Sequence, residues 1–215
     1  MLRLKILVSQ PKLERNLEQL QAELMRYPDI TAAVFPEGYL HTNLSLACEL
    51  AARTRTLLIS GSKNPKDRAV IINREGKIAM DRAKYSGYES VKEEGLLITP
   101  ILCDELVLRE VEEAISPRTD LFVQPIGVGM FSEEQFDEWV AKAKEIASRH
   151  HAMVIGTSHA DGSFRGSEVS LPIAYWIDRD GEPLFISKCD VRSRVVDLRT
   201  KEIRVCEPAV KEDVS

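Results

Sequence analysis

Leu96-Leu97-Ile98-Thr99-Pro100-Ile101-Leu102-Cys103-Asp104-Glu105-Leu106 is the stretch on which the reading of this chain turns. An apolar run of strand length gives way at one residue to acidic positions, the pattern of a buried strand that ends and a helix that begins. Cys103 stands at that junction. A thiol at the carboxyl end of a strand, beside the N–H groups that open a helix, sits in a field that favours thiolate over thiol. Position therefore makes Cys103 a candidate nucleophile, although free cysteines commonly serve as small core hydrophobes.

On either side of this junction strands alternate with helices. Leu2 to Ser9 reads as a strand, and Pro11 as a helix start that leads into the stripe Leu13, Leu17, Leu20 and Leu24. Thr31 to Phe35 reads as a second strand, Leu44 to Arg53 as an amphipathic helix and Thr56 to Ser60 as a third strand. Ala69 to Asn73 and Ile78 to Arg82 flank Glu75-Gly76 as a hairpin. After Leu96 to Leu102 come a helix face of Val107, Val111 and Ala114 and a strand from Asp120 to Gln124. A long helix capped by Ser132 then runs to about Arg149 on Phe136, Trp139, Val140, Ala143 and Ile146-Ala147. Met153 to Gly156, Leu171 to Ile177, Leu184 to Ser187 and Arg192 to Leu198 complete the strands, with Asp180-Gly181 as a turn. Such a mixture of βα units and hairpins implies a mixed sheet, or two sheets, with helices on the outer faces. No repeat, low-complexity tract or linker interrupts it, so residues 1–215 read as one domain.

Composition bounds the function. A net charge of −5 offers no basic surface for nucleic acid or an anionic membrane. The apolar runs are strand-sized and the first residues lack the pattern of a signal peptide, which points to a cytoplasmic protein. Cys48, Cys103, Cys189 and Cys206 form no CxxC pair, so reduced thiols and no metal site are expected. His150-His151 reads as a helix end suited to the dipole.

Two further strand ends carry isolated charges. Val34-Phe35-Pro36-Glu37-Gly38-Tyr39 places a carboxylate just past a strand, and Asp81-Arg82-Ala83-Lys84-Tyr85 places an amine just past a hairpin strand. Each alone fits a solvated turn or an edge charge. Taken in order, Phe35-Pro36-Glu37, the lysine after a Gly-turn hairpin, and Cys103 with Glu105 and Glu110 at +2 and +7 resemble the carbon-nitrogen hydrolase (nitrilase) superfamily. Ala69 to Ile78, Thr119-Asp120-Leu121-Phe122-Val123-Gln124-Pro125, Arg165-Gly166-Ser167 and Ile177-Asp178-Arg179-Asp180-Gly181-Glu182 extend the resemblance over roughly residues 2 to 200.

The resemblance implies an α-β-β-α sandwich, no cofactor, a homodimer or larger homo-oligomer, and hydrolysis of a non-peptide amide through a cysteine thioester. It implies Cys103 as nucleophile, Glu37 as general base and Lys84 as oxyanion partner together with the backbone N–H of Asp104. A second glutamate that orients the lysine is implied as well. Glu89 is the choice, with Glu93 and Glu94 as competitors. Gln124 and His159 fall at strand ends that would rim the pocket. Two departures stand out: Asp104 replaces the aromatic residue usual after the cysteine, and Gln124-Pro125-Ile126-Gly127-Val128-Gly129 replaces the usual residues after the Asn-Pro. Glu37 and Lys84 stand only 47 positions apart, and Lys84 and Cys103 only 19, which predicts a more open site or one finished by a partner subunit. Nitrile substrates and acyl transfer to an amine use the same residues. A nitrilase-fold binding protein that has lost turnover is the alternative.

Overall fold

The computed structural model describes residues 4–108, 118–163 and 168–207. Two stacked sheets form its centre. The first sheet draws on both ends of the described chain: β1 (Lys5–Val8), β2 (Ala32–Val34), β3 (Leu57–Ser62), β4 (Arg68–Ile72), β5 (Ile78–Ala83), β12 (Arg194–Asp197) and β13 (Ile203–Val205) lie in the order β13-β12-β1-β2-β3-β4-β5. The second holds β6 (Val91–Glu93), β7 (Leu96–Pro100), β8 (Leu121–Pro125), β9 (Met153–Thr157), β10 (Ile173–Ile177) and β11 (Pro183–Lys188) in the order β11-β10-β9-β8-β7-β6. Each sheet has three parallel strands at its centre, β1-β2-β3 and β7-β8-β9, flanked by antiparallel ones.

Alternation along the strands sorts side chains into three apolar layers. Ile6, Val8, Val34 and Ile59 point inward, where they meet Ile98, Leu121, Val123 and Trp176 of the second sheet. Leu7, Ala33 and Leu58 point outward under α1 (Glu18–Arg26) and α2 (Leu44–Thr54). On the opposite outer face Phe122, Val154 and Tyr175 lie under α4 (Glu133–His150) and α3 (Glu105–Leu108). This is the α-β-β-α sandwich that the resemblance implies. The Ser132 hydroxyl accepts from the Gln135 N–H at 3.1 Å, so α4 starts where its cap predicts.

Three local expectations change. The first helix begins at Glu18, not at Pro11, because Leu17 is left-handed at φ 58 and the preceding segment is held elsewhere: Leu13 N–H donates to Asp161, and the Glu14 carboxylate accepts from Gln19 N–H. Leu13 is accordingly half exposed instead of joining the apolar stripe. Two short edge strands, β6 and β13, carry too little apolar pattern to be read from sequence. Glu110, Val111, Ala114 and Arg165-Gly166-Ser167 lie outside the described residues. Among the described residues no helix is long and apolar enough to cross a membrane.

Candidate active site

Glu37 and Lys84 come from the first sheet, Cys103 from the second, and all three line one cleft at the seam. Phe35 N–H still pairs with the Ile59 carbonyl at 2.9 Å, and the chain then turns at Pro36, so Glu37 leaves the end of β2 with its N–H donating to the Ile126 carbonyl across the seam. Gly61 makes room for that turn. A Cβ there would lie 2.7 Å from the Gly38 nitrogen and 2.9 Å from the Glu37 Cα, closer than backbone atoms allow. Lys84 follows β5, its N–H on the Asp67 carbonyl at 2.8 Å.

Cys103 sits at φ 45, a left-handed conformation uncommon for a residue with a Cβ. Three contacts hold it there. Its N–H donates to the Pro125 carbonyl at 2.9 Å, its carbonyl accepts from Gln124 Nε2 at 2.8 Å, and Gly127 N–H donates to its sulfur. The thiol in turn hydrogen-bonds the Glu37 carboxylate, and Lys84 Nζ lies 2.9 Å from Glu37 Oε1.

Electrostatics in the cleft favour a neutral thiol at rest. Burial and the adjacent Glu37 carboxylate push the Cys103 thiol up to about 12, against the opposing pull of Lys84 and Gly127 N–H. The helix field expected to favour thiolate is outweighed by burial of the sulfur and by the Glu37 carboxylate against it. Burial also raises Glu37, with Lys84 pulling the other way. Burial disfavours the Lys84 ammonium, yet its neighbours Cys103, Glu37 and Asp104 more than offset it, so its pKa lies above the usual lysine value.

The supporting residues are placed differently from expectation. Glu89 is exposed and off the cleft lining, Glu93 stands near Glu75 and Glu94, and Glu94 pairs with Arg74 at 3.2 Å. The carboxylate beside Lys84 is instead that of Asp104, 2.8 Å from Nζ and also accepting from Tyr85 OH at 2.8 Å. Asp104 therefore neither caps the helix nor stands free beside the sulfur. Gln124 is fully buried under the Cys103 carbonyl, its Oε1 accepting from Tyr175 OH, and so supports the cleft from below instead of rimming it. His159, 2% exposed, lies behind Glu37, donating from its ring to the Glu37 carbonyl, with burial pushing its pKa down to about 4.

Sequence reading missed the ion pair that ties the two sheets together. Arg82 and Glu105 have side chains with no exposed surface and meet in two hydrogen bonds of 2.9 and 2.7 Å. Glu105 also accepts from Tyr85 N–H and Leu102 N–H, each at 2.7 Å, so one carboxylate grips the residue after Lys84 and the residue before Cys103. The available signal was the two-residue period of β5, which puts Arg82 on the inward face with Met80.

The fold is that of the carbon-nitrogen hydrolases, the nitrilase superfamily. Individual structures show how far the likeness runs. A carbon-nitrogen hydrolase from Helicobacter pylori G27 superposes with a TM-score of 0.75 at 14% identity, covering 89% of this chain and 87% of that one. An amidase from Nesterenkonia sp. gives 0.77 at 13% identity over 91% of this chain and 90% of its own. A mutant of the amidase from Nesterenkonia sp. AN1, 14% identical with a TM-score of 0.73 over 91% and 90%, shows covalent addition of the acetamide moiety of fluoroacetamide at its active-site cysteine. No family model matches the sequence, and no curated protein matches it either.

Proposed function

We propose that this chain hydrolyses the C–N bond of a non-peptide amide through a thioester on Cys103. The observation that carries the reading is the convergence of three strand ends: a left-handed Cys103 whose thiol hydrogen-bonds Glu37, with Lys84 at 2.9 Å from the same carboxylate. An amide carbon is a poor electrophile, so attack requires a thiolate made at the moment of reaction. As sulfur bonds to the carbonyl carbon, Glu37 takes the thiol proton, and its raised pKa suits it to that transfer. The carbonyl π electrons move to oxygen, where the Lys84 ammonium and the Asp104 N–H stabilise the oxyanion. The oxyanion collapses, the C–N bond breaks, and Glu37 delivers its proton to the departing nitrogen. Water then adds to the thioester with Glu37 taking its proton, and the acid leaves as the thiol is restored.

The test is ammonia or amine release from a panel of amides. Cys103→Ser should cost orders of magnitude in kcat, because a carboxylate cannot ionise an alcohol. Lys84→Ala should cost roughly 10²- to 10³-fold, as for loss of one oxyanion donor. One observation favours a second reading, a binding protein on the same fold: Asp104 holds Lys84 at 2.8 Å and competes for the ammonium that an oxyanion would need. Ligand binding unaffected by Cys103→Ser, with no release from any amide, would establish that reading instead.

A further inference from the structure

Resting on the amidase reading above, we infer that the cleft takes amides with an extended apolar body, neutral or cationic at the far end, and rejects acyl chains that end in a carboxylate. The cleft measures about 990 Å³, a volume of the order that encloses a drug-sized ligand and far more than a two-carbon amide fills. Its polar reacting groups are gathered around Cys103. An apolar stretch of wall lies beside them: Val107 and Leu108 follow the nucleophile, Val128, Met130 and Phe131 follow β8, and Trp139 lines the cleft from α4. Phe131 is 47% and Leu108 68% exposed, so large hydrophobic side chains stand open to water at the mouth of the site. A contiguous apolar surface of this kind beside reacting groups marks where a ligand's own apolar part lies.

Charge sets the far end. Among the described residues the lining holds five carboxylates, Glu37, Asp67, Asp104, Glu134 and Glu138, against the two ammonium groups of Lys63 and Lys84. Lys84 is already engaged by Glu37 and Asp104. Glu134 and Glu138 stand one helical turn apart on α4 and line the same cleft as Trp139, and hydrogen bonds from its own N–H and the Ser132 hydroxyl hold the Glu134 pKa below the ordinary value. A second carboxylate carried in by the substrate would meet a described lining that holds three more carboxylates than ammonium groups.

The experiment compares acetamide, butanamide, hexanamide and the ω-amino and ω-carboxylate forms of hexanamide, by kcat/KM and by calorimetric binding to the Cys103→Ala protein. The expected kcat/KM rises roughly two- to fourfold per added methylene, the range for partial to full burial of each. The ω-carboxylate should fall about tenfold below hexanamide while the ω-amino form does not. Phe131→Ala should shrink the hexanamide-to-acetamide ratio, and Glu134→Lys combined with Glu138→Lys should close the gap between hexanamide and its ω-carboxylate. Equal kcat/KM for acetamide and hexanamide, or preference for the ω-carboxylate, overturns the inference while leaving amide hydrolysis standing. If no amide is cleaved, the hydrolase reading fails, and binding to Cys103→Ala decides: the same order of affinities supports the apolar cleft, and no binding or the reverse order overturns it.

Discussion

Breaking the Arg82–Glu105 pair should destabilise the protein more when one partner is removed than when both are. Both side chains are wholly buried, and the carboxylate carries four hydrogen bonds, two from Arg82 and one each from Tyr85 N–H and Leu102 N–H. Arg82→Met leaves Glu105 charged in the interior with only the two backbone donors, and a buried charge stripped of its partner costs about 3–5 kcal/mol. Against a total stability of about 5–15 kcal/mol, that variant should remain folded with a much reduced margin. Replacing both, Arg82→Met with Glu105→Leu, removes the stranded charge and should recover about 1–3 kcal/mol of the loss, leaving mainly the cost of two unpaired N–H groups. Urea unfolding followed by the fluorescence of Trp139 and Trp176 measures all four corners of the cycle. Catalysis should not recover with stability: without the grip on Tyr85 and Leu102, Lys84 and Cys103 lose their relative placement, and a displacement of about 1 Å costs on the order of 10²-fold in kcat. A single variant within about 1 kcal/mol of the parent, or a double variant with full kcat, would refute the claim that this pair sets the geometry of the site.

Two further outcomes follow from the titrating groups. Glu23 is half-buried against Ser9 and Ser193 and desolvation raises its pKa, so the folded state binds a proton more readily than the unfolded one; its contribution is fully present below the ordinary value of 4.5 and is lost as pH rises through the folded value. Glu23→Gln should therefore raise the melting temperature at neutral pH and flatten its dependence between neutral and acid, as calorimetry can show; an unchanged pH dependence would contradict the assignment. For the reaction, the raised Glu37 places the acid limb of kcat/KM above 4.5, since protonation removes the base, whereas Lys84 keeps its charge well into the alkaline range. Rate measurements should show activity falling as pH drops through that limb and a plateau above it, and a limb at or below 4.5 would count against Glu37 as the base.

Glu37, Lys84 and Cys103 were legible because each follows the end of a strand and because their order along the chain resembles that of the carbon-nitrogen hydrolases; the strand ends alone fit a solvated turn or an edge charge equally well. What lay out of reach depends on partners distant in the chain. Nothing local says that Leu13 N–H will bond Asp161 and hold off the start of α1 until Glu18, or that His159, on a polar loop, will be buried behind Glu37. Asp104 and Glu89 are both acids near the site in sequence, but only the packing of one sheet on the other brings Asp104 against Lys84 and leaves Glu89 in solvent. Gln124 looked like a rim residue because it lies near the end of β8, yet it is fully buried, and Tyr175 of β10 reaches over Gly156 to donate to it.

The strand order of the first sheet also bears on how the protein is made. β1 pairs with β2 on one side, but its other edge is covered by β12, with Lys5 opposite Asp197. During synthesis that edge, carrying Ile6, Leu7 and Val8, emerges early and stays uncovered until residues 194–197 have left the ribosome. A pairing between positions so far apart slows folding, and through that interval the nascent chain presents an apolar strand edge to any other strand it meets. Removing residues 194–197 would leave that edge permanently open, so a truncated chain should aggregate even though all the strand ends that form the cleft are retained.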